Sequence, residues 1–335
     1  MNDLHTTLPL AGATHKSDLP IVFMLSGQGS QYYSMGKKLY DYHAGFQQKM
    51  QRLDELFSPF VGGSILAKMY HGQKQRSAEF NEVLFTHPAI FMIEYCLAET
   101  LIEEGIRPDY ILGTSLGEIS AVAIAEVISL EESVRFVAQQ ARLFDQHCPQ
   151  ATMIAIMANP DFYQQNKTLQ QYSEIAGINS DSHFVISVAA KAVGRVEDLL
   201  RGEDILYQAL PVRQGFHSSL IDTVADEFQQ LTASIQFKQP TYPIVSAVDG
   251  DLKALFDRDY LWDVVRQPIE FLKCFQLLES LGSFHYVDVG PMGTLATLSK
   301  QTIADHSRSK IHAILTQFAQ DTKNLSQVIT LLTNE

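Results

Sequence analysis

The sequence has no apolar run that approaches the roughly 20 residues needed to span a membrane as a helix. Basic residues are also scarce, since 25 Lys and Arg stand against 38 Asp and Glu, for a formal net charge of -13. Nucleic-acid-binding proteins need a basic face, so this balance argues against such a partner. Residues 1–18 lack the basic and apolar stretches of a secretory signal, and we expect them to form a flexible N-terminal tail. Neither a membrane nor a nucleic acid is therefore expected as a partner.

Cysteine is rare as well, with three residues in the 335-residue chain. Cys96, Cys148 and Cys274 lie far apart and show no spacing typical of metal ligands. So few cysteines indicate reduced thiols, which are typical of a cytoplasmic rather than a secreted protein. We expect a cytoplasmic monomer without a metal site.

Apolar residues, in contrast, make up 46% of the sequence, which is enough to build a substantial core. The apolar run at 21–25 is typical of a strand buried on both faces, as in a parallel sheet. Strand and helix patterns alternate over 19–150 and again over 214–335, where one helix is predicted to continue to about residue 281. Residues 151–213 instead follow the order β-α-β-β-α-β of a ferredoxin-like unit. The sequence therefore predicts an α/β protein in which a small subdomain interrupts a large one.

The segment GTSLG at 113–117 follows a short apolar strand and precedes a helical pattern. This is the context of a nucleophile elbow, in which a tight turn lifts a serine hydroxyl away from the sheet. The glycines permit the turn, and the backbone N–H of Leu116 at the helix start would favour negative charge nearby. Ser115-x-x-Glu118 also matches a capping box, so Ser115 is either a nucleophile or only the cap of the helix.

A nucleophilic serine also needs a base and an oxyanion hole. GQGSQ at 27–31 follows the first predicted strand, and the backbone N–H of Gln28 could supply an oxyanion donor. A phosphate-binding loop does not fit, because Tyr32 occupies the third glycine position of G-x-G-x-x-G, whereas a plain turn remains an alternative. Of the 11 histidines, His217 is best placed to be the base, since it lies where the chain returns to the large subdomain. The alternative for His217 is a partly buried loop residue.

Three motifs together resemble a known family. SGQGSQ at 26–31, GTSLGE at 113–118 and FH at 216–217 are similar to motifs of the malonyl-CoA:acyl-carrier-protein acyltransferases, which include the acyltransferase domains of polyketide synthases. The resemblance extends from about Pro20 to the last helix and includes VDVGP at 287–291. It implies an α/β-hydrolase-like core with a parallel sheet and an inserted ferredoxin-like subdomain.

The same resemblance implies a role for each matched residue. Ser115 would be the nucleophile and His217 its base. The backbone N–H groups of Gln28 and Leu116 would be the oxyanion donors. The resemblance also implies that a main-chain carbonyl orients the histidine, and the aligned position is Val264.

Two departures from the family pattern bear on the substrate. Thr114 precedes the nucleophile, where the family usually has histidine. Gln140 replaces the arginine that pairs with the free carboxylate of a malonyl group, and Arg142 lies about 200° further round the helix. A carboxylate buried without its partner costs roughly 3–5 kcal/mol, enough to slow malonyl chemistry by about two to three decades. We therefore predict that malonyl groups are not selected, unless another basic residue supplies the charge.

Further residues are candidates for the substrate pocket. Gly215 and Phe216 occupy the acyl-specificity motif of the family. Gly215 would widen the pocket or serve only the backbone, and Phe216 would form a wall. Phe144 lies one helical turn past Gln140 and either lines the pocket or is a core aromatic residue. Thr114 and Gln140 complete the set of candidate substrate-binding residues.

The arginine-to-glutamine change resembles the free-standing acyl hydrolases of trans-acyltransferase polyketide synthase pathways, which remove stalled acyl groups from carrier proteins. We predict a proofreading enzyme that hydrolyses uncharged acyl thioesters (acetyl, propionyl or longer) on acyl carrier proteins. No cofactor is implied beyond the phosphopantetheine arm of the substrate. The alternatives are a transferase that loads a non-carboxylated acyl group, a malonyl transferase, an inactive docking protein and a general esterase. A carrier protein is acidic, and Lys37-Lys38, Lys300 and Lys310 are candidates for a basic patch that contacts it.

Overall fold

The computed structural model describes residues 18–71 and 75–334. Within these residues the strands are β1 (Ile21–Leu25), β2 (Tyr110–Gly113), β3 (Ala151–Ile156), β4 (Ser173–Ser180), β5 (His183–Ala189), β6 (Tyr207–Ala209), β7 (Ile244–Ser246), β8 (Asp251–Leu252), β9 (His285–Asp288) and β10 (Lys310–Ala313). The predicted tail at 1–18 lies outside the described residues, except for Asp18.

The α-helices of the described residues are α1 (Lys37–Tyr42), α2 (Ala44–Val61), α3 (Ile65–Tyr70), α4 (Val83–Glu103), α5 (Leu116–Ile124), α6 (Leu130–His147), α7 (Asp161–Gln165), α8 (Lys167–Tyr172), α9 (Val193–Gly202), α10 (Ala225–Thr232), α11 (Arg258–Arg266), α12 (Phe271–Leu281), α13 (Thr294–Thr302) and α14 (Asp321–Asn334). Short 3-10 helices lie at Ala190–Ala192 and Ser219–Val224. None of the described helices has both the length and the apolar character to cross a membrane.

Six strands form one sheet in the order β10-β9-β1-β2-β7-β8, in which only β8 runs antiparallel to its neighbour. Every residue of β1 is buried, as its apolar run predicts. Because side chains alternate along a strand, Phe23 faces a core built with α2, α4, α5 and α6, whereas Met24 faces a second core built with α12 and α13. The large subdomain is therefore a mainly parallel sheet covered by helices on both faces.

The second sheet has the order β4-β5-β3-β6 and is antiparallel throughout. Its element order β3-α7-α8-β4-β5-α9-β6 is the predicted ferredoxin-like order, with the first helix split in two. One face of this sheet forms a separate core with α7, α8 and α9. Met153 and Val185, on the other face, belong to the core of the large subdomain. All of these strands lie inside the predicted range 151–213.

The single helix predicted to end near residue 281 is instead two helices, α11 and α12. Pro268 explains the break, because it has no N–H to donate and disfavours helical geometry in the residue before it. Gln267 is accordingly extended, with φ -78° and ψ 152°. Its carbonyl therefore lies outside the helical hydrogen bonds and is free to accept another donor.

The carboxyl ends of β1 and β2 meet because Leu25 pairs with Gly113. The loop after β1 and the turn after β2 therefore lie side by side at one edge of the large sheet. This edge is where open α/β sheets commonly bind their ligands.

Candidate active site

Ser115 forms the sharp turn between β2 and α5. Its φ of 55° and ψ of -124° are rare for a residue other than glycine and are strained. The neighbouring glycines make the turn possible. A Cβ on Gly113 would lie 2.6 Å from the Cα of Glu118, and a Cβ on Gly117 would overlap the carbonyl oxygen of Leu25. The structure therefore has the elbow that the sequence predicts.

The capping-box alternative for Ser115 is wrong, because the serine side chain makes no capping hydrogen bond to α5. The carboxylate of Glu118 is buried and accepts from Ser246 Oγ at 2.6 Å, Tyr260 O–H at 2.6 Å and the backbone N–H of Ala247 at 3.1 Å. Burial raises the pKa of Glu118 to about 7, although the bonds from Ser246 and Tyr260 oppose the shift. Glu118 therefore ties α5 to β7 and α11.

His217 lies beside the nucleophile. Its Nε2 is 2.9 Å from Ser115 Oγ, and its Nδ1 is 2.7 Å from the carbonyl oxygen of Gln267. Because a carbonyl oxygen only accepts, Nδ1 carries the proton and Nε2 can accept the proton of Ser115. Burial lowers the pKa of His217 to about 4, while the bond to Gln267 acts in the opposite direction. The imidazole is therefore neutral at pH 7, as a general base must be.

The carbonyl that orients His217 belongs to Gln267, so the prediction of Val264 is wrong. Val264 is a buried residue inside α11, whereas Gln267 follows the end of that helix. The break at Pro268 turns the Gln267 carbonyl out of the helix and toward the imidazole. Val265, near the helix end, also contributes, because its carbonyl oxygen accepts from the backbone N–H of His217 at 2.9 Å.

The loop after β1 lies against the nucleophile. A Cβ on Gly27 would lie 2.6 Å from the Cβ of Ser115, so this close approach requires glycine. Gln31 fixes the loop from within. Its Oε1 accepts from the backbone N–H of Gly29 at 2.7 Å, and its Nε2 donates to the carbonyl oxygen of Phe80 at 2.8 Å. Gln31 therefore anchors the loop beside Ser115.

The two predicted oxyanion donors lie in the segments that adjoin Ser115. Gln28 lines the same cavity as the nucleophile, and its side chain is anchored by a 2.8 Å bond from Nε2 to Thr86 Oγ1. Leu116 is the first residue of α5, so its backbone N–H has no partner within the helix. Both residues therefore lie in the segments that adjoin Ser115, where the sequence predicts the oxyanion donors.

A cavity of about 580 Å³ opens at Ser115 and His217, between the two subdomains. Thr114 and Phe216 line it, as predicted. Most of its lining residues are apolar or uncharged, and the small sheet and α13 supply many of them. Among the described lining residues, Lys300 is the only Lys, Arg, Asp or Glu, and it is exposed.

Three residues predicted to contact substrate do not line this cavity. Gln140 is fully buried on α6, and its Oε1 and Nε2 have no hydrogen-bond partner among the described residues. Phe144 is a core aromatic residue whose ring centroid lies 5.1 Å from that of Phe216. A Cβ on Gly215 would lie 2.5 Å from Leu220 Cδ1, so this glycine serves packing and not the width of a pocket. Phe144 thus packs against Phe216, and Gln140, one turn earlier on α6, is buried away from the cavity lining.

Arg142 does not supply the charge that Gln140 lacks. It is exposed and donates to the carbonyl oxygen of Phe60 on α2, as its rotation around α6 predicts. In the described part of the chain, no group of three or more His, Cys, Asp or Glu side chains could hold a metal ion.

Sequence reasoning missed His87. This residue is buried on α4, and its ring centroid lies 5.6 Å from that of Phe216 and 6.3 Å from that of Phe144. Burial lowers the pKa of His87 to about 3, so it is neutral at pH 7 and adds no positive charge behind the site. The only signal for it in the sequence is the polar pair Thr86-His87 inside the otherwise apolar stretch at 83–93.

Comparison with known proteins agrees with this geometry. Residues 22–335 match the family model described as acyl transferase domain. The chain is 42% identical over 309 residues to the polyketide biosynthesis acyltransferase homolog BaeD of Bacillus velezensis, covering 92% of this chain and 95% of that protein. It is 40% identical, with the same coverage, to the polyketide biosynthesis acyltransferase homolog PksD of Bacillus subtilis.

The fold is similar to that of solved acyltransferases. The acyltransferase domain from the second module of the salinomycin polyketide synthase superposes with a TM-score of 0.82 at 24% identity, covering 94% of this chain and 73% of that chain. The matched family model spans both subdomains and includes Ser115 and His217. The chain therefore belongs to the acyl transferase domain family, whose members are enzymes that act on acyl thioesters.

Proposed function

We propose that this enzyme hydrolyses uncharged acyl groups from acyl carrier proteins and thereby proofreads a polyketide pathway. The observation that carries the proposal is an intact Ser115–His217 pair beside a cavity whose described lining contains no buried cation. The proposal of a polyketide pathway rests on the likeness to BaeD and PksD, both described as polyketide biosynthesis acyltransferase homologs.

The first half-reaction forms an acyl-serine. Ser115 Oγ attacks the thioester carbonyl carbon while His217 Nε2, 2.9 Å away, accepts the hydroxyl proton. The carbonyl oxygen becomes an oxyanion, which the backbone N–H groups of Gln28 and Leu116 stabilise. When the oxyanion collapses, the C–S bond breaks and His217 returns the proton to the phosphopantetheine sulfur. The carrier protein leaves with a free thiol, and the imidazole is neutral again.

The second half-reaction repeats these steps with water. His217 Nε2 takes a proton from a water molecule, whose oxygen attacks the acyl carbon. The same two N–H groups stabilise the second oxyanion. Collapse breaks the bond between the acyl carbon and Ser115 Oγ, and His217 returns the proton to that oxygen. The products are the free acid and the original enzyme.

The neutral surroundings of the site support the preference for uncharged acyl groups. Gln140 and His87 are both buried and uncharged at pH 7, and His87 packs against Phe216, so neither offers a carboxylate a positive charge. Lys300 is the one cationic residue of the described cavity lining, and an exposed ammonium group is largely screened by water. A malonyl carboxylate would lose its hydration without gaining a partner.

The alternative is a transferase that passes the same uncharged acyl group to a second carrier protein. It requires the same serine and histidine, and the relatives are described as acyltransferase homologs. The two functions differ only in whether water or a thiol attacks the acyl-serine.

The test is incubation with acetyl-, propionyl- and malonyl-carrier protein in water enriched in oxygen-18, with and without an unacylated acceptor carrier. Mass spectrometry then follows the carrier thiol and the released acid. We expect free thiol and singly labelled acetic and propionic acids without an acceptor, and neither product with Ser115→Ala. Release that depends on the acceptor, with no label in an acid, would identify a transferase instead.

A further inference from the structure

The peptide that precedes His217 is held from the small subdomain. Ser187, on β5, is buried, and its Oγ donates to the carbonyl oxygen of Phe216 at 2.5 Å. This carbonyl belongs to the peptide group between Phe216 and His217. The bond therefore fixes the orientation of the peptide plane that precedes His217. Ser187 lies 29 residues before Phe216 in sequence, and the contact joins the small subdomain to the large one.

The backbone of His217 needs such a restraint because its φ is 59°. A non-glycine residue in this region is strained and keeps the conformation only where its surroundings over-determine it. Three hydrogen bonds do so. The Phe216 carbonyl accepts from Ser187, the His217 backbone N–H donates to Val265, and His217 Nδ1 donates to Gln267. Two of these partners lie at the end of α11, and Ser187 is the third.

The small subdomain also holds the segment that carries the Gln267 carbonyl. The backbone N–H of Ile269 donates to Ala176 at 2.9 Å, and the backbone N–H of Ile178 donates to Ile269 at 2.8 Å. Gly177 lies between these two bonds, and a Cβ there would be 3.0 Å from Ile269 Cβ. The antiparallel sheet therefore contacts both backbone segments that fix the imidazole, one through β5 and the other through β4.

We propose that Ser187 is a positioning residue that holds the Phe216–His217 peptide, and through it the imidazole of His217, in line with Ser115. This inference rests on the proposed function, in which His217 is the base. Without the Ser187 hydroxyl, the buried Phe216 carbonyl loses its donor and the strained peptide can rotate. The imidazole then moves away from Ser115 Oγ, and a displacement of about 1 Å costs about 100-fold in rate.

A buried serine elsewhere in the same subdomain provides the matched control. Ser173 is buried on β4, and its Oγ donates to the carbonyl oxygen of Leu169 at 2.6 Å. Ser173→Ala therefore removes the same type of bond from the same subdomain without touching either segment that holds His217. Ser187→Cys serves as a second variant at the site, because a thiol has similar volume but is a much weaker donor.

The experiment measures three quantities for wild type, Ser187→Ala, Ser187→Cys and Ser173→Ala. These are kcat and KM for hydrolysis of acetyl-carrier protein, the rate at which a fluorophosphonate labels Ser115, and the melting temperature. We expect kcat and the labelling rate to fall about 10- to 100-fold in both Ser187 variants with KM little changed. Ser173→Ala should stay within about 3-fold of wild type even if it melts at a similarly lowered temperature.

Wild-type rates in a folded Ser187 variant would overturn the proposal, and so would rate losses in Ser173→Ala as large as those at Ser187. If Ser187→Ala does not fold, the rates of Ser187→Cys alone test the proposal. Crystal structures of the variants add a readout that does not need activity. We expect His217 to leave its positive φ in the Ser187 variants and to keep it in Ser173→Ala. A wild-type enzyme that hydrolyses no acyl carrier would defeat the proposed function alone, because the φ of His217 still tests the positioning role.

Discussion

Ser115 and His217 both have positive φ values, 55° and 59°, although neither is glycine. Such conformations cost of order 1–3 kcal/mol each and persist where tertiary contacts impose them. Around Ser115 these contacts are glycines that leave no room for a Cβ, and around His217 they are hydrogen bonds to its imidazole and its backbone. These strained conformations place the Ser115 hydroxyl and a neutral imidazole nitrogen of His217 2.9 Å apart without any substrate. At the residue scale, the site is organised in advance of the reaction.

The buried imidazole predicts an unusual pH dependence. Burial lowers the pKa of His217 to about 4 from an ordinary value of 6.5. Only the neutral form accepts the Ser115 proton, and this form predominates above the pKa. The acylation rate should therefore rise with a midpoint near pH 4 and stay level through pH 7. Stopped-flow labelling of Ser115 after pH jumps measures this, and a midpoint near 6.5 would contradict it.

Replacement of Gln140 tests the missing charge. Gln140→Arg places a guanidinium behind Phe216, where it can pair with a carboxylate through two hydrogen bonds. We expect the ratio of malonyl to acetyl acylation of Ser115, read from the intact mass of the acyl-enzyme, to rise about 10-fold or more. Gln139→Arg is the matched control, because Gln139 is the exposed neighbour on the same helix. An unchanged ratio in Gln140→Arg would mean that another feature excludes malonyl groups.

At the scale of elements, the site depends on how closely α5 approaches β1. Gly117 in the first turn of α5 lies so near the carbonyl oxygen of Leu25 that a Cβ would overlap it. Backbone atoms cannot move aside as a flexible side chain can. The elbow and the loop after β1 would have to separate, and with them the two proposed oxyanion donors.

Gly117→Ala should therefore lower the free energy of unfolding by about 2 kcal/mol or more, because the added methyl group overpacks a backbone contact. Gly194→Ala is the control, since Gly194 lies in α9 with nothing within 4 Å of its added Cβ. Alanine should raise the stability of that helix by roughly 0.5–1 kcal/mol. Urea denaturation of both variants measures the difference, and equal stabilities would refute this account of the elbow.

The elements that sequence patterns predicted well are those defined by local chemistry. The apolar run of β1, the glycine-flanked turn at Ser115 and the order of the small subdomain all follow from residue spacing. Val264 was wrong because alignment with the family pattern does not show where α11 ends, and the break at Pro268 leaves the carbonyl of Gln267 free instead. The pocket-widening role predicted for Gly215 was wrong, because tertiary packing brings Leu220 into the space beside it, and no local pattern shows this. The contact of Ser187 with the Phe216 carbonyl likewise joins two subdomains and leaves no local pattern.

At the scale of the whole molecule, the cavity lies between two sheets of different type. The parallel sheet presents the nucleophile and the oxyanion loop at the carboxyl ends of β1 and β2. The antiparallel sheet supplies a mixed wall of apolar and uncharged polar residues and contacts the backbone around His217. The nucleophile and its base both lie in the large subdomain, and the small subdomain completes the cavity beside them.

The most direct test of the central claim compares acetyl- and malonyl-carrier protein as substrates, each without an acceptor carrier. The measured quantity is kcat/KM for the appearance of free carrier thiol. A buried carboxylate without a cationic partner predicts that acetyl is preferred by about 100-fold or more. Malonyl turnover equal to or faster than acetyl turnover would contradict the claim that a neutral site selects uncharged acyl groups.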